Sequence, residues 1–162
     1  MSHDNAGSST VTDETHKERV DRELTELLNG LRVLLPGVQV LLAFLLSVPF
    51  SSRFADVNTF QVRVFYVTLV AAALAVAMLG TPAAQHRVLF RAKEKERMLK
   101  RSNRYALLGS LAVIVAVSAG LLLIVDFVFS AWLAWATSSV FLAVMLWVWF
   151  LEPALHRRWK IS

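Results

Sequence analysis

The sequence predicts an all-α protein, a polytopic membrane four-helix bundle preceded by an amphipathic cytoplasmic helix. Three observations carry this reading. Four apolar stretches, about residues 33–50, 60–81, 105–125 and 131–151, are each long enough to cross a hydrocarbon core of about 30 Å at about 1.5 Å per residue. Hydrophobic residues make up 56% of the 162 and charged ones 18%, against about 45–50% and about 25% in ordinary soluble domains. The charges are also segregated. Of 17 Lys and Arg, four precede Val33, eight lie between Arg87 and Arg104, and three follow Leu155. A soluble bundle would spread its charge along every helix face.

Length and charge bound the function classes. At 162 residues one domain is expected. The net charge of +5 requires no nucleic acid, because basic residues beside apolar spans match the positive-inside bias and anionic lipid headgroups. The chain has no cysteine, which excludes a disulfide framework, a Cys-based metal site and a thiol nucleophile. Seven acidic side chains within the first 30 residues oppose a cleavable signal peptide.

Residues 1–12 are small and polar with almost nothing to bury, so a disordered tail is expected. Over residues 13–32, Val20, Leu24, Leu27, Leu28 and Leu31 recur at spacings of three and four. That is one face of a helix, with Glu18, Asp21, Arg22, Glu23 and Glu26 opposite. This lead-in helix would rest on headgroups, on neighbouring helix ends or on a partner protein. The first span, 33–50, begins with Pro36 and Gly37. The donor missing from Pro36 predicts a kink or a break between lead-in and span.

The second span, 60–81, carries Arg63 and Tyr66 at its outer end, one able to snorkel and the other suited to the interface. Its alanine-rich stretch Val70–Met78 allows close helix approach. The connection from Pro82 to Arg104 opposes its cations with only Glu94 and Glu96, and good helix formers dominate it. As the connection richest in Lys and Arg it is assigned to the cytoplasm. Both termini follow it there, and the basic tail 152–162 agrees.

The third span, 105–125, has no charge, and Ala112, Ala116 and Gly120 mark a helix-packing face at four-residue spacing. That face would serve the four-helix unit or a contact between copies. Asp126 closes the span, and the short turn to Ala131 makes spans three and four an antiparallel hairpin. In the fourth span, Trp132 and Trp135 lie near one end and Trp147 and Trp149 near the other, the pattern of interfacial anchoring belts.

Signatures of catalysis are missing. No dinucleotide fingerprint, phosphate loop, HExxH or G-x-S-x-G elbow occurs, and His3, His16, His86 and His156 lack metal-ligand spacing. Neither an enzyme nor a cofactor or metal is expected. Polar groups at membrane depth become the candidates. Gln39 in the first span would bond another helix or line a pathway. Asp126 and Glu152 stand at span ends, where solvation is expected. His86 beside Arg87 would make an interfacial contact or sense protons.

Two segments, ELLNGLRVLLPGVQVLLAFLLSVPFSSRF and PAAQHRVLFR with the later KRSNRYALLG, resemble a family of short bacterial four-span membrane proteins defined only as a domain of unknown function. The resemblance covers about Val20 to Leu151. Glu26, Leu27, Leu28, Leu31, Arg32, Val33, Gly37, Val38, Gln39, Phe44, Pro49, Phe50, Arg53 and Phe54 carry it first. His86, Arg87, Phe90, Asn103, Arg104 and Gly109 follow. This chain departs from the family at Gly30, where an acidic residue is common, and at Pro36, where a polar one is. An ion pair from that acid to Arg32 is thereby absent and a helix break is gained. The resemblance implies a four-helix membrane unit with its N-terminus inside. It adds Arg32 and Asn103 to the candidate positions. Some relatives carry an automatic sodium–proton antiporter label, but this chain has no carboxylate near a span midpoint and no evident internal repeat.

Two functions are compatible with these residues. The first is a structural, regulatory or partner-binding component of the bacterial inner membrane, with both termini cytoplasmic. Its partners would be anionic headgroups, further copies of the chain and a protein at the cytoplasmic face. The second is a proton- or sodium-coupled small transporter or channel formed by an oligomer. There Gln39 would line a wet cavity, with Arg32 and His86 near its inner mouth and Asp126 near its outer mouth.

Overall fold

A computed structural model describes residues 16–89 and 95–159. The helices are α1 (His16–Ser47), α2 (Thr59–Leu89), α3 (Lys95–Val128), α4 (Ala131–Leu146) and α5 (Glu152–Trp159). Two 3-10 turns, Val48–Phe50 and Ser52–Asp56, join α1 to α2, and a π-helical turn, Trp147–Leu151, joins α4 to α5. The chain is an all-α four-helix bundle. Among the described residues four stretches are long and apolar enough to cross a membrane: Thr25–Phe50, Thr59–Gln85, Lys100–Val128 and Ala131–Leu155. The expected disordered tail, residues 1–12, lies outside the described residues, as does the end of the basic tail.

α1 passes through Pro36 without interruption, so the expected break between lead-in and span is not there. Proline removes one i→i−4 bond and crowds the carbonyl of Arg32. In an apolar medium a full break would strand several more backbone groups, and keeping the helix costs less. Leu31, Val38 and Leu45, the buried residues of α1 among those described, are spaced by sevens, the seam of helices that pack along their length.

The centre of the bundle is the α2–α3 pair. Of their apolar windows 39% and 28% is buried, against 11% for each outer span. α1 lies against both α2 and α3, α4 lies along α3, and the backbones of α1 and α4 do not approach each other. Small residues explain why α2 and α3 sit so close. Thr68, Ala72, Ala75 and Leu79, spaced four-three-four on α2, are at most 1% exposed. A Cβ on Gly109 of α3 would fall 2.6 Å from Leu79 Cδ2 and 3.2 Å from the Leu79 backbone nitrogen. Glycine is what permits that approach.

Lipid tails are as apolar as leucine, so these contacts hold by close packing and interhelical hydrogen bonds rather than by exclusion of water. One such bond runs from Ser138 Oγ of α4 to the Ser118 carbonyl of α3 at 2.8 Å. Beyond Leu146 the helix widens, with the Glu152 N–H reaching back to the Trp147 carbonyl. Pro153 accounts for this widening. It offers no N–H to the Trp149 carbonyl, and its ring would press on that oxygen in a regular α-turn. Trp132, Trp135 and Trp147 stay more than half exposed, as anchoring side chains would.

Candidate functional site

The end of the bundle where residues 48–58 and 129–130 connect the helices is called the turn end below; the other, bearing the 87–104 connection, is the basic end. At the turn end Asn58 caps α2. The Asn58 N–H donates to Gln61 Oε1 at 3.0 Å, and the Gln61 N–H donates to Asn58 Oδ1 at 2.9 Å. This reciprocal pair satisfies two backbone donors that a helix start leaves without partners. The other end of the Gln61 amide is also used. Its Nε2 donates to Asp126 Oδ2 at 3.0 Å, and Gln61 is only 7% exposed.

Asp126 stands near the C-terminus of α3, the wrong end of its own helix dipole for a carboxylate. The Gln61 amide and the adjacent N-terminus of α2 offset this, because both present positive partial charge. The cluster therefore locks the start of α2 to the finish of α3. The connection between α1 and α2 folds onto the same end. The Phe54 ring meets Phe65 edge-on at 5.4 Å, and the Arg53 guanidinium lies 5.5 Å from the centre of the Phe127 ring. Phe60 and Trp135, 6.2 Å apart, join the start of α2 to α4.

Beneath these residues lies a cavity of about 460 Å³ between α1, α2 and α3. Its walls are apolar side chains, among them Leu41, Leu45, Phe65, Val117 and Ile124. Polar groups occur only at its mouth, from Ser51, Arg53 and Gln61. The volume lies within the roughly 300–1,000 Å³ of ligand pockets, and the mix of apolar walls with few polar groups is theirs too.

The structure distributes the remaining candidates widely. Gln39 is exposed on α1, makes no hydrogen bond to another helix among the described residues, and does not line the cavity. Arg32 and Asn103 are exposed on α1 and α3. His86 lies in α2 near the basic end, its side chain outside the described residues. Asp126 alone of the five polar candidates joins a site, where it is half-buried and bonded to Gln61.

In the small-residue series, Ala116 is fully buried against Leu45, Phe65, Ala71 and Ala72, and Ala112 packs beside Val113. A Cβ at Gly120 would meet Thr68 Cγ2 at 3.5 Å, an ordinary contact. Among the described residues no three His, Asp or Glu come together as metal ligands would.

Gln61 is not among the candidates read from the sequence. The Asn58-x-x-Gln61 spacing is a helix-start signature and marks the pair in advance. The reach from Gln61 to Asp126 has no such signal, because it depends on how α2 and α3 align. A protein-family model covers residues 13–153 of the chain. No curated protein and no solved structure matches it.

Proposed function

The chain belongs to the family of unknown function DUF6328, and from that premise we propose a multi-pass membrane component that works by self-association and not by catalysis. The observation that carries this reading is Gln39. Its amide stands at membrane depth on an exposed face of α1, among Arg32, Pro36, Ala43 and Ser47, all exposed and spaced by three or four. Residues that meet only lipid are expected to be apolar, and an unpaired amide in hydrocarbon costs several kcal/mol by order of magnitude. A carboxamide both donates and accepts, so a second copy of the same face satisfies it. Small neighbours let the two backbones come close.

In this reading the protein sits in a bacterial inner membrane with both termini and the 87–104 connection in the cytoplasm. The segregation of Lys and Arg and an even number of crossings support that orientation. The basic connection then faces anionic headgroups and any cytoplasmic protein partner. A coupled transport route through Gln39 has less support, since the cavity at the turn end is apolar and does not include that residue.

The test uses the absence of native cysteine. In membranes Ala43→Cys should form disulfide-linked dimers, and Leu107→Cys on α3 should not. Adding Gln39→Leu should weaken the dimer about five- to thirtyfold, the worth of an interhelical bond of about 1–2 kcal/mol. No dimer at Ala43→Cys, or a dimer indifferent to Gln39→Leu, overturns the reading.

A further inference from the structure

We propose that the cavity at the turn end is a binding groove for one acyl chain of an anionic phospholipid, with Arg53 holding the phosphate. Three observations converge. The walls are apolar over their whole depth and the polar lining is confined to one end, which is the polarity of a single lipid molecule. The depth also fits. Along α3 the lining runs from Ala116 to Phe127, about 16 Å at about 1.5 Å per residue, or one leaflet of a hydrocarbon core about 30 Å thick. A chain that entered from the mouth would end near the bilayer midplane.

The third observation is charge. Arg53 at the mouth is exposed and has no ion pair among the described residues, and its guanidinium is held in place against the Phe127 ring. The nearby carboxylate of Asp126 is engaged by Gln61, and Asp56, also exposed, forms no ion pair with Arg53. A guanidinium fixed at the headgroup level above an apolar, chain-deep groove recognises phosphate bidentately. The groove is lined by the Leu41–Leu45–Val48 side of α1, whereas Gln39 points elsewhere, so lipid binding stands or falls apart from self-association.

The experiment is native mass spectrometry of the full chain, delipidated in detergent and given phosphatidylglycerol or phosphatidylcholine with identical chains. The expected result is one retained lipid, with phosphatidylglycerol favoured about fivefold, the worth of one basic residue at a lipid headgroup. Arg53→Gln should abolish the preference while the chain is still retained, and Arg53→Lys should restore part of it. Val117→Trp should fill the groove and retain no lipid. Should that variant lose its helical circular dichroism, Ile124→Trp, nearer the mouth, replaces it. Equal retention of both lipids by the wild type, or retention unchanged in Arg53→Gln and the filled variant, overturns the proposal.

Discussion

The side-chain amide of Gln61 donates to the carboxylate of Asp126 at 3.0 Å, and that one bond joins the start of α2 to the end of α3. A glutamine that also completes the Asn58 cap is committed at both ends, so its loss should cost more than a surface hydrogen bond. Gln61→Leu is expected to destabilise the bundle by about 1.5–3 kcal/mol, since it strands a half-buried carboxylate as well as the cap. Asp126→Asn keeps an acceptor for the same donor and should cost clearly less. Reversible unfolding in mixed micelles, read by circular dichroism, checks the order; equal losses would mean the bond is not what holds these ends.

Gly109 and Gly80 make opposite predictions from the same substitution. At Gly109 an added methyl meets Leu79, including its backbone nitrogen, whereas nothing lies within 4 Å of a Cβ at Gly80. Gly109→Ala should therefore destabilise by about 1–3 kcal/mol through overpacking between α2 and α3. Gly80→Ala should be neutral or stabilise by up to about 1 kcal/mol, by stiffening a helix interior. Thermal melts of the two variants in one detergent separate these outcomes by sign.

Much of this architecture was legible in the sequence because a bilayer imposes length on whatever crosses it. Spans expected at 60–81 and 131–151 lie within stretches found at Thr59–Gln85 and Ala131–Leu155. What stayed illegible depends on rotation and register between helices. Gln39 reads as polar from the sequence, but only packing shows that it faces outward. Asp126 reads as a boundary charge, and only the alignment of α2 against α3 brings Gln61 to it. Pro36, where a kink or a break is expected, does not break the helix. Its local penalty is real, yet the cost of exposing further backbone groups in an apolar medium exceeds it.

Ser138 supplies a measure of how much a polar tie contributes between apolar helices. Its hydroxyl donates to the Ser118 carbonyl while α4 has no backbone approach to α1 or α2. Ser138→Ala should loosen the α3–α4 hairpin by about 0.6 kcal/mol, near the mean for such bonds in membranes. Ser139→Ala, one residue along the same helix and exposed, should change stability by much less. Hydrogen exchange over Ala131–Leu146 resolves the difference: faster exchange in the first variant only is the expected result, and identical exchange in both would leave the tie without energetic weight.

The orientation proposed above rests on charge alone and is open to a direct check. Eight of the 17 cations fall between Arg87 and Arg104, where two spans meet, and by the positive-inside bias such a cluster is expected to stay on the side of synthesis. Reporter fusions after Lys95 and after Ser162 should then both read cytoplasmic, and fusions in the Ser51–Asn58 connection or after Ser130 should both read external. The cluster, and not the apolar pattern, should decide this, because the spans themselves are symmetric with respect to direction. Replacing Arg97, Lys100, Arg101 and Arg104 by glutamine should therefore yield a mixed population, with external signal appearing after Lys95. A uniformly cytoplasmic signal in that variant would mean that the lead-in helix or the C-terminal tail sets the orientation instead.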